Sequence, residues 1–146
     1  MTSDDVAIDL RNRVRDGLSK PANWLELVRF AVVGGSGYVV NLAVYALMVH
    51  AAGVNFRIAA TVAFLVAVAN NFLWNRQWTF KAHQGHPGHQ AARFLTVSVV
   101  GFVVNLAILE LLVSGLELAE VPAQAIAIVA ATPVTFLGNK LWTFGL

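Results

Sequence analysis

The sequence predicts an all-α polytopic membrane protein whose four transmembrane helices form two tandem helical hairpins, a parallel repeat. Three observations carry that prediction. Apolar residues are 58% of the 146 and charged residues only 12%, with a mean hydropathy of +0.66, against about 25% charged in an ordinary soluble domain. The apolar residues gather into four stretches, each close to the ~20 residues that a helix needs to cross hydrocarbon. The chain also resembles itself at an offset of 64 residues. Little is left for a separate soluble domain. Without cysteine, neither a disulfide framework nor a cysteine-based metal site is available.

Residues 1–27 read as a cytoplasmic N-terminal tail carrying Arg11, Arg13, Arg15 and Lys20 with Asp4, Asp5, Asp9 and Asp16. No long apolar core stands close behind a short basic head, so a cleavable signal peptide is not expected. Val6, Leu10, Val14 and Leu18 recur at the spacing of one helical face, and the arginines fall mostly on other faces. The segment is therefore either an interfacial amphipathic helix on an anionic leaflet or a frayed polar tail weakened by Gly17. Pro21 interrupts the pattern, and Trp24, Leu25 and Leu27 read as the interfacial approach to the first span.

Residues 28–146 form the membrane domain. Spans are expected at about 30–52, 58–74, 94–116 and 121–141, with tight hairpin loops at 53–57 and 117–120. Continuous apolar runs rich in Gly and Ala fit membrane helices; strands would alternate with period two, so a β-barrel is excluded. Pro133 is expected to bend the fourth span. Nine of the ten Lys and Arg residues flank the spans on the side of the termini and the middle loop, and Arg57 alone falls opposite, with Glu117 and Glu120. The positive-inside rule then places both termini and the middle loop in the cytoplasm, in a bacterial-type inner membrane.

The 64-residue offset lays Arg29-Phe30 on Arg93-Phe94 and Gly37-Tyr38-Val39-Val40-Asn41-Leu42-Ala43 on Gly101-Phe102-Val103-Val104-Asn105-Leu106-Ala107. It lays Phe72-Leu73-Trp74-Asn75-Arg76-Gln77-Trp78-Thr79-Phe80 on Phe136-Leu137-Gly138-Asn139-Lys140-Leu141-Trp142-Thr143-Phe144 without a gap. Chance apolar similarity would not keep Asn, Arg or Lys, and Trp in register. The units run from about 29 to 80 and from about 93 to 144. Each holds two spans, so both start on one side and an axis along the membrane normal relates them.

Arg29-Phe30 followed by Val33-Gly34-Gly35, Asn41 within the first span, and Asn75-Arg76-Gln77-Trp78-Thr79-Phe80 after the second make the chain resemble the GtrA-like family of small four-helix membrane proteins. The resemblance covers residues 27–146. It implies an association with polyprenyl-phosphate-linked sugars, because family members are proposed flippases of such lipids and a similar domain is the membrane part of some polyprenyl-phosphate glycosyltransferases. The second unit departs from the pattern with Gly138-Asn139-Lys140-Leu141, which keeps the charge but not the bidentate guanidinium.

Arg29, Arg76, Arg93 and Lys140 lie at the cytoplasmic span ends, where cations either meet lipid phosphate or only set topology and snorkel to headgroups. Trp78 and Trp142 follow two residues after Arg76 and Lys140, as interfacial anchors or as stacking partners for a sugar or prenyl chain. Asn41 and Asn105 stand 12 residues past Arg29 and Arg93, roughly 18 Å along the helix and near the bilayer midplane. Gly37 and Gly101 share their faces, so the amides are either interhelical glue or a polar lining for a passing headgroup. Asn71 and Asn75, matched by Thr135 and Asn139, are expected to extend that lining as a stripe toward Asn41.

Glu110, whose counterpart is Ala46, is the acid well inside a span: a proton site, a partner of Arg57, or an outer-interface snorkel. Arg57 is itself a candidate phosphate receiver on the far side. Gly34-Gly35-Ser36-Gly37 lacks the preceding strand and the Lys-Ser/Thr of a nucleotide loop. His83, His86 and His89 in a Gly/Pro-containing loop lack a nearby acid or Cys, so no metal site, no cofactor and no catalytic set is expected.

The expected function is binding and transbilayer flipping of a polyprenyl-phosphate-linked sugar for surface glycan synthesis, without catalysis and without nucleic acid. Besides membrane lipids, a second copy or a glycosyltransferase is the expected partner. The alternative is a scaffold that holds a glycosyltransferase at the membrane without transport. A small cation-drug exporter would need an acid deep in the first span, which has none.

Overall fold

The computed structural model describes residues 2–145, apart from the side chains of Phe56, Arg57 and Val121. Among the described residues five α-helices and no strand occur: α1 (Ser3–Ser19), α2 (Pro21–Ala46), α3 (Phe56–Trp74), α4 (Pro87–Glu110) and α5 (Glu120–Gly138). Helices α2 to α5 each run on into a five-residue π-helical turn, at Leu47–Ala51, Asn75–Thr79, Leu111–Gly115 and Asn139–Thr143. The resulting apolar spans are Pro21–Ala51, Ile58–Thr79, Pro87–Gly115 and Pro122–Thr143.

Two boundaries differ from the expectation. Helices α2 and α4 start at Pro21 and Pro87, well ahead of Phe30 and Phe94. Proline at the first helical position has its φ preset and loses no intrahelical hydrogen bond, so Pro21 begins a helix instead of interrupting one. With its π turn α2 covers 31 residues, about 46 Å against ~30 Å of hydrocarbon, so its polar first turns reach beyond the apolar layer. The middle connection shrinks to residues 80–86. His86 is the N-cap of α4, its side chain accepting from the His89 amide at 3.4 Å.

The span ends repeat one another in detail. Beyond the π turns, Val54 N donates to Met48 O and Leu118 N to Leu112 O, both at 2.9 Å. The intervening Gly53 (φ 64°) and Glu117 (φ 55°) take the left-handed conformation that closes a helix C-terminus. They are one 64-residue offset apart. Glycine adopts this conformation freely and glutamate does not, so Glu117→Gly is expected to stabilise the fold by roughly 0.5–1 kcal/mol. Thermal unfolding in detergent checks it, and an unchanged or lower midpoint contradicts it.

Helix α2 packs on α3 and α4 on α5 through small residues. Ala59, Ala63 and Ala67 on α3, and Ala123, Ala127 and Ala131 on α5, are buried at every fourth position. Such a stripe lets helix backbones approach where lipid removes the hydrophobic drive between them. A Cβ on Gly37 would lie 2.1 Å from Asn71 Oδ1, and one on Gly101 would lie 2.1 Å from Thr135 Cγ2. The large apolar side chains point the other way: Val39, Leu47, Val129 and Leu141 are 65–72% exposed. Small residues inside and large ones outside make this an integral membrane protein. Helix α5 continues through Pro133.

Candidate functional site

At the end of the bundle that holds the middle loop, the π turns bury four polar side chains. Asn75 and Asn139 are 2% and 1% exposed, and their Oδ1 atoms accept from Thr79 Oγ1 and Thr143 Oγ1 at 2.8 Å each. This corrects the expected stripe. Asn71 and Asn41 line an open space, whereas Asn75 and Asn139 are enclosed and bonded within their own turns.

The four cations divide into two kinds. Arg29 lies over the Trp78 ring at 5.5 Å and Arg93 over the Trp142 ring at 5.6 Å, a geometry in which the indole face attracts the guanidinium. Arg93 also donates to Trp142 O at 3.1 Å. Arg76 and Lys140 instead tie the hairpins together. Arg76 Nε donates to Gln90 Oε1 at 2.6 Å, and Arg76 Nη2 donates to His83 O at 3.1 Å and Gly85 O at 3.2 Å. Lys140 Nζ donates to Asn23 Oδ1 at 2.7 Å and to Glu26 Oε2. Glu26 and Gln90 are themselves 64 residues apart. Each hairpin's closing cation thus grips the first helix of the other hairpin.

Inward from these contacts lies a layer of six phenylalanines. Phe30 meets Phe136 and Phe72 meets Phe94, each pair at 5.7 Å between centroids, and Phe80 stacks on Phe144 at 5.3 Å. The offset of 64 turns each of these contacts into its partner. One ring comes from each span and one from the residue after each π turn at this end.

One turn further along α2 and α4 a cleft of about 450 Å³ opens between the hairpins. Its sixteen lining residues fall into eight pairs separated by 64, among them Gly34 with Ser98, Gly37 with Gly101, Asn41 with Asn105, and Asn71 with Thr135. Asn70 Nδ2 donates to Ser36 Oγ at 3.3 Å, bracing α3 on α2. Asn105 Nδ2 donates weakly to Gln124 Oε1 at 3.4 Å, while Asn105 Oδ1 is buried without a partner among the described residues.

Glu110 closes α4 at the opposite end. It is exposed, accepts from Ser114 Oγ at 2.8 Å, and borders a second cavity of about 290 Å³ with Glu120 and Gln124. Its expected partner, the Arg57 side chain, lies outside the described residues.

Sequence reasoning passed over Glu26, Gln90, Thr79, Thr143, Gln124 and the phenylalanine layer. The signal was present for most of them. The same offset that pairs Asn41 with Asn105 pairs Glu26 with Gln90, Thr79 with Thr143 and Phe72 with Phe136.

A family model described as "GtrA/DPMS, transmembrane domain" matches residues 29–144. The chain is 27% identical over 120 residues to the Bacillus subtilis uncharacterized membrane protein YngA, covering 82% of this chain and 79% of that protein. It is 31% identical over 115 residues to a dolichol-phosphate mannosyltransferase of Pyrococcus furiosus, covering 78% of this chain. The match spans about a third (32%) of that longer protein.

Proposed function

Because the chain belongs to the GtrA/DPMS transmembrane-domain family, we propose that it binds a polyprenyl-phosphate-linked sugar and carries the sugar head across the bilayer. Membership puts it in the setting of lipid-linked sugars. One observation carries the finer reading: an uncharged cleft presenting Asn41, Asn71 and Asn105, built of eight matched residue pairs, opens between the hairpins on the far side of the phenylalanine layer from the cation and indole pairs.

In this reading the roles follow from which groups retain donors. Arg29 and Arg93 take the phosphate, with Trp78 and Trp142 beneath them, and Arg76 and Lys140 hold the two hairpins at that end. Asn41, Asn71 and Asn105 exchange hydrogen bonds with sugar hydroxyls, which spares the head the full loss of its hydration inside the membrane. The prenyl chain stays among the lipids. The cation-rich end faces the cytoplasm of a bacterial-type inner membrane by the positive-inside rule. Net direction comes from consumption of the lipid on the far side, or from protons exchanged at Glu110, with Arg57 as the receiver there. A second copy or a glycosyltransferase completes the path.

A scaffold for a glycosyltransferase is the second reading, favoured by the match to one part of a longer mannosyltransferase. Reconstitution in liposomes with a labelled polyprenyl-phosphate sugar separates the two. Transport predicts accelerated inversion, and a loss of about tenfold in Asn105→Leu, the value of one hydrogen bond of ~1.4 kcal/mol in the barrier. A folded protein that gives no acceleration supports the scaffold and defeats transport.

A further inference from the structure

Helix α1 buries none of its 17 residues, yet it is well made. The Thr2 side chain accepts from the Asp5 amide and the Asp5 carboxylate accepts from the Thr2 amide, a complete capping box. These bonds hold the Asp5 carboxyl below the usual carboxylate range. At ~100° per residue, Val6, Ala7, Leu10, Val14, Gly17 and Leu18 fall within about a third of the circumference. Val6, Leu10, Val14 and Leu18 are 47–61% exposed. Arg13 and Arg11 stand about 20° outside the two edges of this sector, and Arg15 and Asp9 each lie about 60° outside. Asp5 and Asp16 lie opposite, and Arg13 pairs with Asp9 at 2.8 Å. Ile8 and Asp4 fall on the Arg11 and Arg15 side.

An apolar sector with an arginine at each edge is the arrangement in which long cationic stems lie along lipid and lift their heads to phosphate. The position of the helix agrees. Only Lys20 separates α1 from α2. The last carbonyls of α1 are held by the first turn of the span, with Asn23 Nδ2 donating to Gly17 O and Trp24 Nε1 to Leu18 O, both at 2.7 Å. The same Asn23 accepts from Lys140. Helix α1 is therefore anchored at the end of the bundle that carries Trp24, Trp78, Trp142 and the cation pairs, where a bilayer presents its headgroups.

We infer that α1 lies in the plane of the membrane as an anchor on anionic phospholipid, apolar face down, with Arg11 and Arg13 on the headgroup phosphates. This inference is independent of what the cleft carries. The absence of cysteine from all 146 residues makes single-site spin labelling of the full chain direct. Labels at Leu10→Cys and Asn12→Cys sit on opposite faces. In vesicles of phosphatidylcholine with phosphatidylglycerol, the label at 10 is expected to collide several-fold more with oxygen, relative to a water-soluble nickel chelate, than the label at 12. Removing the edge charges by Arg→Gln is expected to lower the docked population by roughly fivefold per arginine. Both labels equally open to nickel in the anionic vesicles would overturn the docking. Equal depth in phosphatidylcholine alone would overturn the anionic preference. Immobilisation at 10 with spin–spin broadening between copies would assign the face to a second protein chain instead.

Discussion

Phe80→Ala and Phe144→Ala are each expected to lower the unfolding free energy by roughly 3 kcal/mol, at the lower end of what removing a packed phenylalanine costs. Phe144 is buried and touches Phe72, Phe80 and Phe94 within 5.3–6.2 Å. Phe80 touches the counterparts Phe136, Phe144 and Phe30 within 5.3–6.1 Å. The two hairpins meet through these rings, so a deletion leaves a void in the joint that the surrounding side chains refill only in part. Because the two positions have matching neighbours, their effects are expected to be similar, and a double-mutant cycle should give a coupling of about 0.5–1.5 kcal/mol for the stacked pair. Titration of unfolding in mixed detergent micelles measures all three quantities. Single losses below about 1 kcal/mol would remove the phenylalanine layer as the joint between hairpins.

The second large effect is at Gly101. An alanine methyl there would sit 2.1 Å from Thr135 Cγ2. Threonine is stiff at χ1, and swinging that methyl away would break the bond that Thr135 Oγ1 donates to Thr132 O at 3.0 Å. The remaining escape is to part α4 from α5. Gly101→Ala is therefore expected to destabilise by about 1–3 kcal/mol, although alanine is the better helix former. Thr135→Ser removes Cγ2 and keeps the hydroxyl, so it should recover most of the loss in the double variant. Without that rescue, the contact is not the cause. Gly37 faces the end of the longer Asn71 side chain, which can swing aside, so Gly37→Ala is expected to cost less.

The location of the cations, the cleft amides and the buried amides shows where sequence reading reaches. Spacing places Arg29 and Arg93 at the span ends and Asn41 with Asn105 on helix faces that one offset repeats, but it couples Trp78 and Trp142 to Arg76 and Lys140, two residues away, whereas the folded chain sets them under Arg29 and Arg93. Asn75 is expected in the polar stripe and Arg76 among the span-end cations, and in the structure both make internal contacts. Arg76 uses donors on Gln90, His83 and Gly85. Asn75 closes a π turn with Thr79. Identical residue types at similar depth in the sequence thus end in different roles.

By itself the sequence determined the class of molecule, the number of its spans, the clustering of its charge at one end and the 64-residue offset. These follow from hydropathy and charge, which act on each segment separately through its transfer between water and lipid. Only the tertiary structure decided which polar atoms find partners. Arg76 reaches a residue 14 positions away and Lys140 one 117 positions away, and a hydrogen bond depends on a distance and an angle that no local pattern contains. The tertiary structure also decided that six phenylalanines, scattered along the chain, converge into the joint beneath the cleft.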